Sequence, residues 1–487
     1  METVVLLVLS LVVLVLFLIY RHGTRTHGTL EKLGIPVIKP YPFVGSYLTP
    51  WTKYTAVEDQ RNAKRFGAVW GQYDGLVPYV YVASVELAKC VMIKDFEYFQ
   101  DRPVSMMDYE YARDMLDFLK GEQWKQVRSL FSKTVSSGSK LKAMMTTVKK
   151  CTEDGFKRLD AKLEKENELV IQDELFGPIV LDAMSQFSFG IKIPMEDKSN
   201  PFLQHVNIFT AGDYETPAWK AAFRLIFKPG SEFEMIVPAF KFMNEVMRKS
   251  IKERRISGGS KGDIVDIMVD AIDNKVPTKE FRDLNITEDI IVTQGAELLM
   301  ASYGTTAAVL SFCTYYLVRY PDIMERVVCE VEDEEELTYE SAQRLPLLEA
   351  VMYEALRLTP FIPRHIRTCT RDWERDGVRI PAGTNVVISA STLQMDPGEF
   401  PEPESFQPDR WLADGGRKLG QYHWMPFGLG PRACLGTRLA TLEVKYILAS
   451  FLKRYRVSTC SKSRLEVKPG LSLLADFYSI WIKVEKR

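Results

Sequence analysis

Apolar positions along this chain keep three different rhythms. From Val4 to Tyr20 they are unbroken: 17 uncharged residues rich in Leu and Val. At about 1.5 Å per residue, such a run just spans a hydrocarbon core of roughly 30 Å. Between Glu122 and Tyr320 apolar residues recur at steps of three and four, as in Lys140–Leu163 and Asp263–Ile272, the spacing of one helix face. A shorter rhythm marks Val69–Val82, aromatic and β-branched around Gly75, and predicts a hairpin. Strand signals return at Val378–Ala390, around the Pro381-Ala382-Gly383 turn, and near Pro469-Gly470. No internal repeat or low-complexity tract interrupts this order. The expected fold class is mainly α with a smaller β-rich region (α+β).

One predicted helix stands apart. Thr287 suits an N-cap, Glu288 and Asp289 suit the positive end of the helix dipole, and nothing breaks the pattern before Pro321. That gives about 33 residues, on the order of 50 Å, apolar almost all round from Ile290 to Val318. Such a helix must be buried, and Gln294 and Glu297 within it favour a protein interior over a second membrane span. The stretch Ala301-Ser302-Tyr303-Gly304-Thr305-Thr306 falls mid-helix, where Gly costs about 1 kcal/mol relative to Ala. A helix weakened there is a place for a groove.

The flanks of the N-terminal run set its orientation. Glu2 precedes it, while Arg21, His22, Arg25 and His27 follow, which keeps the following chain in the cytosol. Basic residues after the run, with no small-x-small site, favour an uncleaved anchor over a signal peptide. Residues 1–22 are therefore expected to be a single-pass anchor and 23–45 a basic linker, stiffened into a spacer by Pro36, Pro40 and Pro42. Residues 46–487 would form the main domain.

Composition narrows the field. A 487-residue chain that is 46% hydrophobic and 26% charged can bury a large core. Lys plus Arg (63) nearly cancel Asp plus Glu (64), so no global field points to nucleic acid. The cysteines at 90, 151, 313, 329, 369, 434 and 460 are scattered, without the pairing of a zinc site or a disulfide scaffold, and read as reduced cytosolic thiols.

One cysteine has unusual neighbours: Phe427-Gly428-Leu429-Gly430-Pro431-Arg432-Ala433-Cys434-Leu435-Gly436. The spaced glycines and the proline make a tight, sterically open turn, and an amphipathic helix is expected from about Leu435 to Leu452. At a helix start, the dipole and free N–H groups favour a thiolate. A thiolate beneath a haem iron pushes electron density in the direction that favours O–O cleavage. Alone, the loop reads better as a buried structural cysteine in a Gly-rich turn.

With its companions, the loop resembles the cytochrome P450 family. Phe427, Gly430, Arg432, Cys434 and Gly436 match F-x-x-G-x-R-x-C-x-G at every fixed position, and three other motifs follow the family's order. Trp124 and Arg128 resemble W-x-x-x-R, Glu354 and Arg357 match E-x-x-R, and Arg410 in Phe406-Gln407-Pro408-Asp409-Arg410-Trp411 resembles the arginine completing that triad. Singly, the E-x-x-R pair would pass for a surface ion pair, and the Trp–Arg pair for core packing. The likeness covers nearly the whole chain. Stretches such as Gly23-Thr24-Arg25-Thr26-His27-Gly28 and Leu33-Gly34-Ile35-Pro36 look most like the animal microsomal clan of broad drug-metabolising enzymes and thromboxane synthase.

The resemblance implies the P450 fold behind a transmembrane helix, with haem b between the long helix and a loop whose Cys434 ligates the iron. Arg102, Trp124, Arg128, Ala301, Arg367, Phe427, Arg432 and Gly436 are the implied haem-binding residues, and Glu354, Arg357 and Arg410 a buried structural network. It further implies electrons from NADPH through a flavoprotein reductase, one oxygen atom inserted into a lipophilic substrate, and an endoplasmic reticulum membrane with the catalytic domain cytosolic. Lys125, Lys133, Arg417, Lys418, Arg438 and Lys445 are candidate docking charges for the reductase. By position, Met106, Met107, Tyr109, Ala301, Tyr303, Phe361, Ile362 and Leu473 resemble pocket-lining residues, although ordinary core packing fits each as well. The aromatic and basic stretch from Pro201 to Val246, with Trp219, Phe223, Phe227 and Phe233, fits either a pocket roof dipping into membrane lipid or a variable loop.

One departure matters. Against the family pattern A-G-x-[DE]-T-[TS], Ala301, Thr305 and Thr306 match, but Ser302 replaces Gly and Gly304 replaces the acid that helps deliver protons. Three readings stay open. The first is a monooxygenase using water, Ser302 or another acid such as Glu297 for protons; the second is an isomerase or peroxide-dependent enzyme; the third is a non-catalytic haem or ligand carrier. Thr305 is correspondingly either a catalytic hydroxyl or a helix residue bonded back to the Ala301 carbonyl.

Overall fold

Burial decides where the long apolar helix goes. In the computed structural model, which describes residues 2–46, 55–103, 111–197, 199–210, 237–412, 419–466 and 479–487, it runs Glu288–Arg319. The Thr287 hydroxyl accepts the Ile290 N–H at 3.4 Å. The helices Gly177–Phe189, Val237–Ser257, Pro346–Leu358 and Thr437–Arg454 pack around it. Most of Ile290–Leu299 and of Thr306–Val318 is buried, so this is the core helix of a protein interior and not a second span. The expected weakening at Gly304 does not appear, and the helix is continuous. Ser302 Oγ donates to the Leu298 carbonyl and Thr305 Oγ1 to that of Ala301, each at 2.7 Å. These are the local bonds small hydroxyl residues make inside helices.

The strands, in chain order, are β1 (Val69–Asp74), β2 (Val77–Val82), β3 (Glu168–Val170), β4 (His365–Thr368), β5 (Trp373–Arg375), β6 (Val378–Ile380), β7 (Asn385–Ile388), β8 (Tyr455–Ser458) and β9 (Trp481–Lys486). The β1–β2 hairpin pairs Val69 with Val82 and turns at Gly75, whose φ of 56° is the left-handed conformation glycine adopts freely. Its sheet has the order β1-β2-β7-β4, with β2 and β7 parallel and the other pairs antiparallel. The Pro381-Ala382-Gly383 turn separates β6 from β7 but makes no hairpin, because β6 pairs with β5. The remaining sheet, β3-β9-β8, brings the chain's end beside the helical body. Pro469-Gly470 lies outside the described residues.

The N-terminal helix covers Glu2–Gly23, with a mean hydropathy of 3.1, and its apolar residues Val4–Tyr20 are exposed, while Gly23 at its end is buried against Phe43. The linker that follows is not a free spacer. Leu30 and Ile35 are buried, the Gly71 N–H donates to the Pro36 carbonyl at 2.8 Å, and Ile38 returns a bond to Gly71 at 3.0 Å. Its prolines limit the backbone, but the apolar residues between them dock on β1 and draw the segment into the domain.

Candidate active site

The cysteine loop is held by backbone bonds at both ends. The Cys434 N–H donates to the Phe427 carbonyl at 2.7 Å and the Ala433 N–H to Gly430 at 3.0 Å. Gly430 has a φ of 70°, and a Cβ there would lie 2.0 Å from the Met92 carbonyl oxygen, so no other residue lets the loop sit so close to the Cys90–Lys94 turn. Arg128 caps the loop by donating to the Ala433 carbonyl at 2.7 Å.

The helix beyond begins at Thr437, later than the expected Leu435, with Gly436 as its N-cap. Cys434 therefore precedes the helix instead of opening it. Burial pushes its thiol pKa up, despite the Gly436 N–H and the Thr437 hydroxyl, which favour the thiolate. Yet Cys434 is accessible. A residue both desolvated by surrounding protein and open to a solvent probe lies on the wall of an internal chamber.

Arginines converge on that chamber. Arg432 is buried, donates to the carbonyls of Gln100, Leu116, Asp117 and Leu119 at 2.6–3.2 Å, and lies 4.2 Å from the centre of the Trp124 ring. Arg367, on β4, is 1% exposed. Arg102 pairs with Asp117. Burial lowers the pKa of Arg367 well below its usual value and that of Arg432 to about 9, and the neighbouring Arg102 pushes both the same way. Burial would raise the Asp117 carboxyl, but Arg102, Arg432 and Arg367 outweigh it and hold it below its usual value. Among the described residues, the four arginines Arg102, Arg128, Arg367 and Arg432 thus outnumber the nearby carboxyls Asp117, Asp101 and Glu297.

Two buried donors on the same wall, Arg367 Nε and Trp124 Nε1, have no hydrogen-bond partner among the described residues. An uncompensated cation group with orphaned N–H donors, next to an accessible buried thiol, fits a haem: two carboxylates for the arginines and the indole, and an iron for the sulfur.

The opposite wall is the long helix. Ala301 is exposed and Thr305 half-buried although both lie mid-helix in the core, so their face borders the chamber. Ser302 and Gly304 are also half-buried. Tyr303 faces elsewhere: a Cβ on Gly177 would lie 3.4 Å from its hydroxyl, and burial raises its pKa to about 12. Two residues from Ala301 and from Thr305 is about 200° around a helix, which puts Tyr303 in the helix packing and not in the pocket. Phe361 and Ile362 are half-buried just before β4. Met106, Met107, Tyr109 and Leu473 lie outside the described residues, as do Trp219, Phe223, Phe227 and Phe233.

His365 was not anticipated, although strand alternation puts it on the same face as Arg367. It lies against Gly428, and its Nε2 donates to the Met425 carbonyl at 2.8 Å. Burial, then Arg367, lowers its pKa to about 3, so the ring is neutral and ties β4 to the cysteine loop.

Behind the loop, Glu354, Arg357 and Arg410 come together. Arg357 grips Glu354 through Nε and Nη2 at 2.9 and 2.8 Å, and Arg410 Nε reaches the same carboxylate at 3.2 Å. Trp411 Nε1 and the Gln407 N–H add two more donors to Glu354, at 2.8 and 3.0 Å. The remaining Arg357 donors go to the carbonyls of Gln394, Pro403 and Ser405.

Of the candidate docking charges, Lys125 is exposed. Lys445 is 2% exposed and bonded to Glu349 at 2.7 Å and the Gln343 carbonyl, so it braces two helices and presents nothing to a partner. Arg417 and Lys418 lie outside the described residues, as does the Lys133 side chain.

Comparison with known proteins agrees with this geometry. The cytochrome P450 family model matches residues 35–476. The Mus musculus protein Cytochrome P450 3A41 is 31% identical over 485 residues, covering 94% of this chain and 92% of its own length. The Canis lupus familiaris protein Cytochrome P450 3A12 is 30% identical over 512 residues, covering 100% and 97%. The Sus scrofa protein Cytochrome P450 3A29 is 30% identical over 493 residues, covering 96% and 93%.

Proposed function

The chain belongs to the cytochrome P450 family and is a haem-thiolate monooxygenase with haem b as cofactor, and from that premise we propose that Cys434 is the iron ligand and that the substrate is a lipophilic small molecule delivered from the membrane. The observation that supports the ligand assignment is the cation excess around an accessible thiol, with Arg367 Nε and Trp124 Nε1 left without partners among the described residues. Arg102, Arg367, Arg432 and Trp124 would hold the haem carboxylates, and Arg128, through the Ala433 carbonyl, would steady the loop that carries the sulfur. When bound, the haem supplies the activation of dioxygen that no side chain can provide. We propose electrons from NADPH through a flavoprotein reductase, and an anchor of residues 1–22 in the endoplasmic reticulum that leaves the catalytic domain, residues 46–487, in the cytosol.

The chain's own part in proton supply is thin. Gly304 offers no acid, and the hydroxyls of Ser302 and Thr305 both donate to helix carbonyls. Poor coupling of NADPH use to product follows, because O–O cleavage requires protons. Gly304→Glu, at a helical position free of positive φ, is expected to raise product formed per NADPH. Measuring product, peroxide and NADPH in one assay with purified reductase tests the reading. Tight coupling in the wild type with Gly304→Glu neutral points to another proton route, and full turnover without NADPH would replace monooxygenation by isomerisation.

A further inference from the structure

Gln294 and Glu297, two polar side chains in the apolar first half of the long helix, both hold one stretch of backbone across the chamber's edge. Gln294 Nε2 donates to the Asp114 carbonyl at 2.7 Å, and its Oε1 accepts the Leu116 N–H at 3.0 Å. Glu297 accepts the same N–H on Oε2 at 2.5 Å and the Asp117 N–H on Oε1 at 2.9 Å. From the other side, Arg432 donates to the carbonyls of Leu116 at 3.1 Å, Asp117 at 3.2 Å and Leu119 at 2.6 Å. A carboxyl thus grips the N–H side of residues 114–119 and a cation grips the C=O side. The stretch also carries Asp117, the partner of Arg102.

We propose that Glu297 is a positioning residue for the haem-carboxylate cradle: by holding residues 114–119 against Arg432, it fixes where Arg102 and Arg432 stand beside Cys434. The inference rests on the haem reading of the chamber given above. A carboxyl suits the place because both of its oxygens face N–H donors, the Leu116 N–H being shared with Gln294, whereas an amide has one acceptor oxygen and turns its NH2 toward the other N–H. The charged groups facing Glu297 are Asp117, from the segment it holds, and Arg102, the partner of Asp117. Burial, then the Asp117 charge, raises its pKa to about 8, although the two N–H groups favour the ionised form. The held site therefore favours the protonated carboxyl, and its grip weakens as pH rises from about 4.5 to about 8, a dependence that a glutamine cannot have.

The test uses the full-length, haem-loaded protein in detergent. Glu297→Gln is expected to speed hydrogen exchange at the Leu116 and Asp117 amides about tenfold, to accelerate haem transfer to apomyoglobin by a similar factor, and to abolish the pH dependence of both. Glu297→Asp, which keeps the carboxyl, should recover part of the protection. Unchanged exchange at those two amides overturns the proposal, and so does a rise spread evenly over the protein or faster local exchange with unaltered haem transfer. A wild type lacking the thiolate-type carbon monoxide spectrum would instead sink the haem reading on which the proposal rests.

Discussion

Two groups of buried arginine flank the cysteine loop, and they are satisfied in opposite ways. Around Glu354, both carboxylate oxygens are occupied, Arg357 directs its donors to three carbonyls besides the carboxylate, and Trp411 and Gln407 close the set. Around Cys434, burial and then Arg102 lower the pKa of both Arg367 and Arg432, and Arg367 Nε has no partner among the described residues. A closed network holds the fold, whereas one that stays electrically open in the folded chain is made to receive an anion. The same residue type serves both ends because the guanidinium is rigid, forked and always charged at neutral pH.

The contrast predicts opposite outcomes for two similar substitutions. Arg357→Ala strands the Glu354 charge in the core and should cost about 3–5 kcal/mol, enough to leave little folded protein; circular dichroism and yield measure it. Arg367→Met removes a cation that the chain alone does not neutralise, so the protein stripped of haem should unfold at the same temperature or higher. The loaded protein should lose haem at least tenfold faster. Equal destabilisation of both variants without haem would erase the distinction.

A smaller effect sharpens the same boundary between structural and receptive charge. Lys125→Glu, at the surface, where the ammonium meets the exposed Glu122 at 3.1 Å in a solvent-screened pair, should raise the apparent KM for reductase a few-fold at low salt and less at high salt. Lys445→Ala should instead lower the melting temperature and leave the salt dependence of that KM unchanged, because its ammonium is already taken by Glu349.

Much of this was legible in the residue order. The Thr287 cap and the apolar run up to Pro321 located the long helix almost to the residue, because both signals are local. The cysteine loop was legible for a similar reason: its glycines and proline constrain their own backbone. What escaped depends on direction or on distant partners. Tyr303 was placed by position in a motif, while its angle around the helix turns it into packing. Lys445 looked like a surface charge because Glu349 is far away in sequence. Glu297 announced that its helix lies in protein, but its grip on two backbone N–H groups leaves no side-chain pattern to read. The linker's docking on β1 came from Leu30 and Ile35, whose burial outweighs the extended preference of the prolines between membrane and domain.

The account stands on Cys434, and the absorption spectrum of the dithionite-reduced protein under carbon monoxide tests it most directly. Wild type and variants replaced singly at Cys90, Cys151, Cys313, Cys329, Cys369 or Cys460 should each give the thiolate-type band, and Cys434→Ala should lose it entirely. A thiolate-type band surviving in Cys434→Ala would contradict the assignment.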